Sequence, residues 1–201
     1  VDINGVMAAN QWVAIDNEDA GQDNEPDHYW YYFQANGKAL KNGDNAKVAL
    51  KTINGKKYAF DDEGKMLYGW VSEDNAERVD NTDGDGFKEG TYYFGGEDDG
   101  AMTVGWLQMD ITYDEATNDY EIAPVFNDDE DQSRWFYFQS NGKKVQAKDG
   151  DLQKSKTING KKYEFDQYGA MTAEWSLDVE AASKNGTRDS YSTSATNSVS
   201  A

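Results

Sequence analysis

Rings are the side chains of this sequence best equipped for chemistry. Trp30-Tyr31-Tyr32-Phe33, Tyr92-Tyr93-Phe94 and Trp135-Phe136-Tyr137-Phe138 are unbroken aromatic runs, and Trp12, Trp70, Trp106 and Trp175 stand singly, outside any such run. The faces of such rings hold sugar C–H surfaces and ammonium groups by apolar and cation–π contact. Carboxylates offer a second chemistry. In Asn81-Thr82-Asp83-Gly84-Asp85-Gly86 the side chains of Asn81, Asp83 and Asp85 are spaced to converge on a hard cation such as Ca2+, with Gly86 at the sharp turn and Glu89 at the ninth position. The twelfth position, which should carry a bidentate glutamate, is Tyr92, so an acidic hairpin tip accounts for the same residues. Asp128-Asp129-Glu130-Asp131 reads as a solvated run. No pair among the 38 Asp and Glu residues is singled out for acid–base work, because they sit in polar stretches without apolar surroundings to raise a pKa. His28, the only histidine, has no nucleophile motif beside it and reads as a bystander. Beyond the calcium candidate no cofactor is expected, and no catalytic residue.

The elements that position the rings follow from a repeat. Residues 30–70 match 135–175 without gaps at an offset of 105, with 21 identities, including Lys51 to Tyr58 returning whole as Lys156 to Tyr163. Shorter copies carry Tyr58-Ala59-Phe60, Tyr92-Tyr93-Phe94 and Tyr163-Glu164-Phe165, each followed by a glycine and, two residues later, a methionine: Gly64 and Met66, Gly100 and Met102, Gly169 and Met171. Aromatics favour strands, and Asn36-Gly37, Asn54-Gly55, Asn141-Gly142 and Asn159-Gly160 suit tight hairpins. A single hairpin is marginal in water, so its rings must be buried against its neighbours. The expectation is an all-β, elongated solenoid of about five to six stacked β-hairpin repeats with long acidic insertions at 13–28, 71–90 and 107–134. The first unit reads as truncated, with Gly5, Met7 and Trp12 forming only its second half. Ile111–Tyr113 and Tyr120–Phe126 could add a hairpin inside the third insertion. Residues 1–182 read as the array and 183–201 as a Ser/Thr-rich tail or linker.

Strand alternation gives the rings two faces. Tyr31, Tyr58, Tyr92, Phe136 and Tyr163, with Phe33, Phe60, Phe94, Phe138 and Phe165, recur in every copy and are assigned to the core. The other face varies, from Trp30 and Tyr32 through Lys57 and Ala59 to Lys162 and Glu164, and is left for ligand or solvent.

A formal net charge of −19 opposes nucleic-acid phosphates and anionic bilayers, and no apolar run reaches the length of a membrane span. Neither nucleic acid nor membrane insertion is expected. The absence of cysteine removes disulfides and thiolate metal sites. Self-association is open.

The pattern Gly69-Trp70, Tyr92-Tyr93-Phe94, Gly100-Ala101-Met102, Gly105-Trp106 resembles the cell-wall-binding, or choline-binding-type, repeats of Gram-positive surface proteins. Thr52 to Tyr58 and Thr157 to Tyr163 are also similar to clostridial toxin and glucan-binding repeats. The resemblance implies a secreted, cell-wall-associated, non-catalytic module whose partner is a wall polymer, a glycan or choline. It also implies ring cages between successive hairpins: Trp12 and Trp30 with Tyr58, Trp70 with Tyr92 or Tyr93, and Trp106 and Trp135 with Tyr163. Three copies depart from the pattern, with Lys57, Thr91 and Lys162 at the leading aromatic position. A spacer or protein-interaction stalk, whose rings serve only stacking, is the alternative.

Overall fold

The computed structural model describes residues 4–111, 132–149, 151, 154–177 and 191–193; for residues 132, 173–177 and 191–193 it describes the backbone alone. It consists almost wholly of antiparallel β-hairpins, in two compact units, Val1–Thr103 and Val104–Ala201. The division falls inside the stretch 1–182 read from the sequence as one array.

In the first unit β1 (Gln11–Asp16) pairs with β2 (His28–Phe33), β3 (Lys51–Ile53) with β4 (Lys56–Tyr58), and β5 (Trp70–Val71) with β6 (Tyr92–Tyr93). The one helix among the described residues, α1 (Gly86–Glu89), is a single turn. In the second unit β7 (Gly105–Ile111) pairs with β8 (Gln132–Phe138), and β9 (Lys154–Ile158), β10 (Lys161–Phe165), β11 (Met171–Leu177) and β12 (Tyr191–Thr193) form one sheet in that order.

The insertions are the connections of hairpins. Trp12 pairs with Tyr32, Trp70 with Tyr93 and Trp106 with Tyr137, so each tryptophan strand folds back onto the next ring strand across its insertion. Sequence spacing suggested a hairpin closed instead at the turn after the rings. That turn contributes only single bridges, Phe33 to Ala39, Phe60 to Met66 and Phe138 to Lys144. The expected hairpin at 111–113 and 120–126 and the acidic run 128–131 lie outside the described residues, except for Ile111, which is buried in β7. Within the stretch read as a tail, β12 pairs with β11.

Asn54-Gly55 and Asn159-Gly160 close their hairpins with both residues at positive φ, near 50° and 80°, the geometry expected of Asn-Gly in a two-residue loop. Phe60, Phe94, Phe136, Phe138 and Phe165 are fully buried, as their assignment to the core requires, while Phe33, Tyr31, Tyr58 and Tyr163 are half-buried. Ala59 and Glu164 correct the other half of that assignment: both are buried on the side left for ligand or solvent. In the first unit the reason is visible. Phe60 packs with Ile53 and Met66, whereas Ala59, on the opposite side of the chain, packs with Leu67, Val71, Tyr92 and Phe94. A ring strand between two neighbouring hairpins is covered on both sides.

Successive hairpins are joined by a contact repeated along the chain. The residue two positions after each turn glycine covers the next turn glycine: Met7 over Gly37, Ala39 over Gly64, Met66 over Gly100, Lys144 over Gly169. A methyl group added at any of these glycines would press into that side chain. The backbone repeats a contact too, since Met66 N–H donates to the Trp30 carbonyl and Met102 N–H to the Lys57 carbonyl, at 2.7 and 2.8 Å. The leading positions 30 and 57 therefore contribute a carbonyl whatever the side chain, so a lysine fits at 57.

Candidate functional site

The two units build the same aromatic cluster twice. In the first, Trp12 lies 5.2 Å from Tyr32 and 4.9 Å from Tyr58, both edge-on, and stacks on Phe60 at 5.8 Å and 26°. In the second, Trp106 lies 5.0 Å from Tyr137 and 4.8 Å from Tyr163, both edge-on, and stacks on Phe165 at 5.9 Å and 26°. Cross-strand pairing sets the tyrosine on the adjacent strand, and the next hairpin supplies the second tyrosine and the phenylalanine floor. The floor is buried; the tryptophan and both tyrosines keep part of their surface in water.

Two further indoles differ between the clusters. Trp135 meets Trp106 at 6.3 Å and 89°, a right-angled corner, and is 40% exposed. Trp30, its counterpart, is half-buried, and its Nε1–H donates to Asp98 Oδ1 at 2.9 Å, the same oxygen that His28 Nε2 meets at 2.7 Å. These two hydrogen bonds hold the Asp98 carboxyl below its ordinary range. Burial first, and the Asp99 carboxylate second, push Tyr58 and Tyr93 upward, so both phenols stay protonated at neutral pH.

The third expected cage is closed. Trp70 meets Tyr93 edge-on at 5.1 Å, but only 2% of Trp70 and 5% of Tyr92 is exposed. The insertion 71–90 provides the lid: α1 lies on the indole, and a Cβ at Gly90 or Gly86 would press into the Trp70 ring. Of the expected calcium ligands the structure fixes one. Asn81 Oδ1 accepts from Gly86 N–H at 2.9 Å, and among the described residues no three His, Asp or Glu side chains gather to hold a metal ion.

Sequence reasoning located Trp12, Tyr58, Trp106, Trp135 and Tyr163 in their clusters. It missed Tyr32 and Tyr137, which their cross-strand register could have signalled. It also missed Asp98, whose contact with Trp30 spans 68 residues and has no local signature. Another departure between the copies is Lys144, buried where the first copy has Ala39. Its ammonium faces the buried Asp166 carboxyl, whose Oδ1 accepts from Tyr168 and Ala170 N–H.

No protein-family model matches the chain. In sequence it is 26% identical over 199 residues to a glucosyltransferase, glucosyltransferase-S, of Streptococcus mutans, a match covering 84% of this chain and 12% of that protein. The chain resembles cell-wall-binding repeats of the choline-binding type. Among solved structures, the modular autolysin LytC of Streptococcus pneumoniae, in complex with a synthetic peptidoglycan ligand, is 21% identical with a TM-score of 0.41, covering 82% of this chain and 24% of that one. The modular Cpl-1 endolysin from the pneumococcal phage Cp-1, complexed with a peptidoglycan analogue, is 16% identical with a TM-score of 0.43, covering 97% and 38%. The repeats thus span 12% of the sequence relative and 24% and 38% of these two structures.

Proposed function

We propose that the chain is a non-catalytic module that attaches a secreted protein to bacterial cell-wall polymer or extracellular glycan. The observation that carries this reading is the twin cluster. Trp12 with Tyr32 and Tyr58, and Trp106 with Tyr137 and Tyr163, repeat one geometry to within about 0.2 Å, each over a buried phenylalanine that fixes its rings in place. Rigid, half-wet rings lose little entropy on engaging a sugar face or a quaternary ammonium. The Trp106–Trp135 corner, with its exposed indole, is the better site for choline, since a cation there meets two ring faces at right angles. Sequence similarity to part of a streptococcal glucosyltransferase supports a glycan-rich, extracellular setting. Trp70, closed under α1, and Tyr92, buried with Ala59, Leu67, Val71 and Phe94, serve packing in this reading.

Retention on purified Gram-positive cell walls and on insoluble glucan, with and without choline as competitor, tests it. Retention by the wild type and its weakening in Trp135→Ala are expected. No retention on either matrix would overturn the assignment and leave a structural spacer as the better account.

A further inference from the structure

The insertions of the first unit build a cleft that the aromatic clusters do not use. Its central side chain is Arg78, held on β5 by the Val71–Arg78 bridge. The Arg78 guanidinium lies 4.2 Å above the Tyr68 ring and donates from Nη2 to the Asn24 carbonyl at 2.6 Å. One insertion thus grips the other. Glu25, beside Arg78, is fixed from behind by Tyr29 Oη–H at 2.7 Å and Asn17 Nδ2–H at 2.8 Å. The cleft is open to solvent, has a volume of about 470 Å³ and is lined by Tyr68, Tyr93, Asn81, Arg78 and Glu97, with only 2% of Trp70 exposed. Gly69, Gly95 and Gly96 add no side chain to the lining.

The repeat itself does not require this cleft. At the offset of 105, Tyr68 becomes Ala173 and Gly69 becomes Glu174, so the second copy carries neither the tyrosine nor the glycine. Its lining also narrows the ligand. An anion would meet Glu25 and Glu97, and a quaternary ammonium would meet Arg78 where it covers the Tyr68 face. A neutral polyhydroxyl ring suits both signs: its hydroxyls accept from Arg78 and Asn81 and donate to the carboxylates, while its C–H face lies against the half-buried Tyr93 ring.

We propose that this cleft binds one or two sugar units of a neutral glycan, a second site that rests on the wall- or glycan-attachment reading and sharpens it. The test is calorimetric titration of isomaltotriose and of triacetylchitotriose into the full chain in choline-saturated buffer, for wild type, Arg78→Ala and Glu97→Gln. Saturable binding of one trisaccharide to the wild type is expected, weakened at least about tenfold in both variants, the effect of losing one charged hydrogen-bonding partner. No saturable heat from either sugar, or undiminished binding in either folded variant, would overturn the proposal. Should Arg78→Ala fail to fold, Glu97→Gln, whose side chain is exposed, decides alone. Retention on walls is measured in parallel. Retained protein with no trisaccharide binding overturns the cleft alone, whereas trisaccharide binding without retention overturns wall attachment and leaves the cleft standing.

Discussion

Trp106 and Trp135 touch each other yet have different work. Trp106 sits against two tyrosines and stacks on buried Phe165, so its removal leaves a cavity in the cluster; Trp135 is the most exposed of the described tryptophan side chains and leaves a gap that water fills. Trp106→Ala should therefore cost about 3–5 kcal/mol, and Trp135→Ala less than about 1 kcal/mol while weakening wall retention. Urea midpoints beside retention assays separate the two effects, and equal destabilisation would contradict the division of labour. The pairing of Trp12 with Tyr58 and of Trp106 with Tyr163 was legible in the sequence because the copies share a register. That Trp70 is covered was not, because the cover is Gly86 and Gly90, residues that the sequence presents only as part of an acidic turn.

Lys144 gives a second test at the same scale. Burial pushes Asp166 up to about 7 and Lys144 down to about 7, and the charge of each partly offsets the shift of the other. In Lys144→Met, which places at this position the residue found at 7, 66 and 102, the offset is gone and Asp166 must rise further. Unfolded, that carboxyl ionises near its ordinary value. From about pH 4 up to its raised folded value, the native state holds a proton that the unfolded chain has released, so stability falls as pH rises. The Lys144 contribution has the opposite sign, growing as pH climbs from about 7 toward the ordinary lysine range, and the variant lacks it. Between pH 5 and pH 8 the variant should lose about 1 kcal/mol or more beyond the wild type, measured by urea unfolding at both pH values. Parallel behaviour would show that the two charges do not interact.

At the scale of elements, hairpins are marginal alone and the joints between them decide. Gly43 and Gly100 isolate the joint, because both hold φ at +67° while only Gly100 is covered, by Met66. Alanine at Gly43 meets nothing within 4 Å and should cost the backbone term alone, about 1 kcal/mol. Alanine at Gly100 adds overpacking of about 1–3 kcal/mol. Met66→Ala should relieve that second part, so the Gly100→Ala, Met66→Ala pair should be less destabilised than the sum of its members; additivity in chemical denaturation would refute the joint. The glycine and the methionine were both visible in the sequence as a motif. Their partnership was not, because each methionine covers the glycine of the following hairpin and not of its own. The same gap explains the hairpins themselves. Spacing suggested closure at Asn36-Gly37, yet the pairing that spans six residues on each strand runs from Gln11–Asp16 to His28–Phe33 across a polar insertion that carries no strand signal of its own.

For the molecule as a whole, charge is the property that sequence alone determines. A net charge of −19 opposes compaction by self-repulsion, and it opposes any anionic partner over a distance that salt shortens to about 8–10 Å at 0.10–0.15 M. Contacts made by rings and neutral hydroxyls carry no such dependence. Two consequences separate in one experiment. As sodium chloride rises from low concentration to about 0.5 M, the midpoint of thermal unfolding should rise, because the repulsion is screened. Retention on a neutral glucan should stay level or improve slightly, since a glycan held by apolar and hydrogen-bonding contacts has no charge attraction to lose. Retention on cell walls that weakened steeply with salt would mean that charge attraction, and not apolar contact with the ring clusters, carries the affinity. In that event the acidic insertions, rich in Asp and Glu, would be the binding surface.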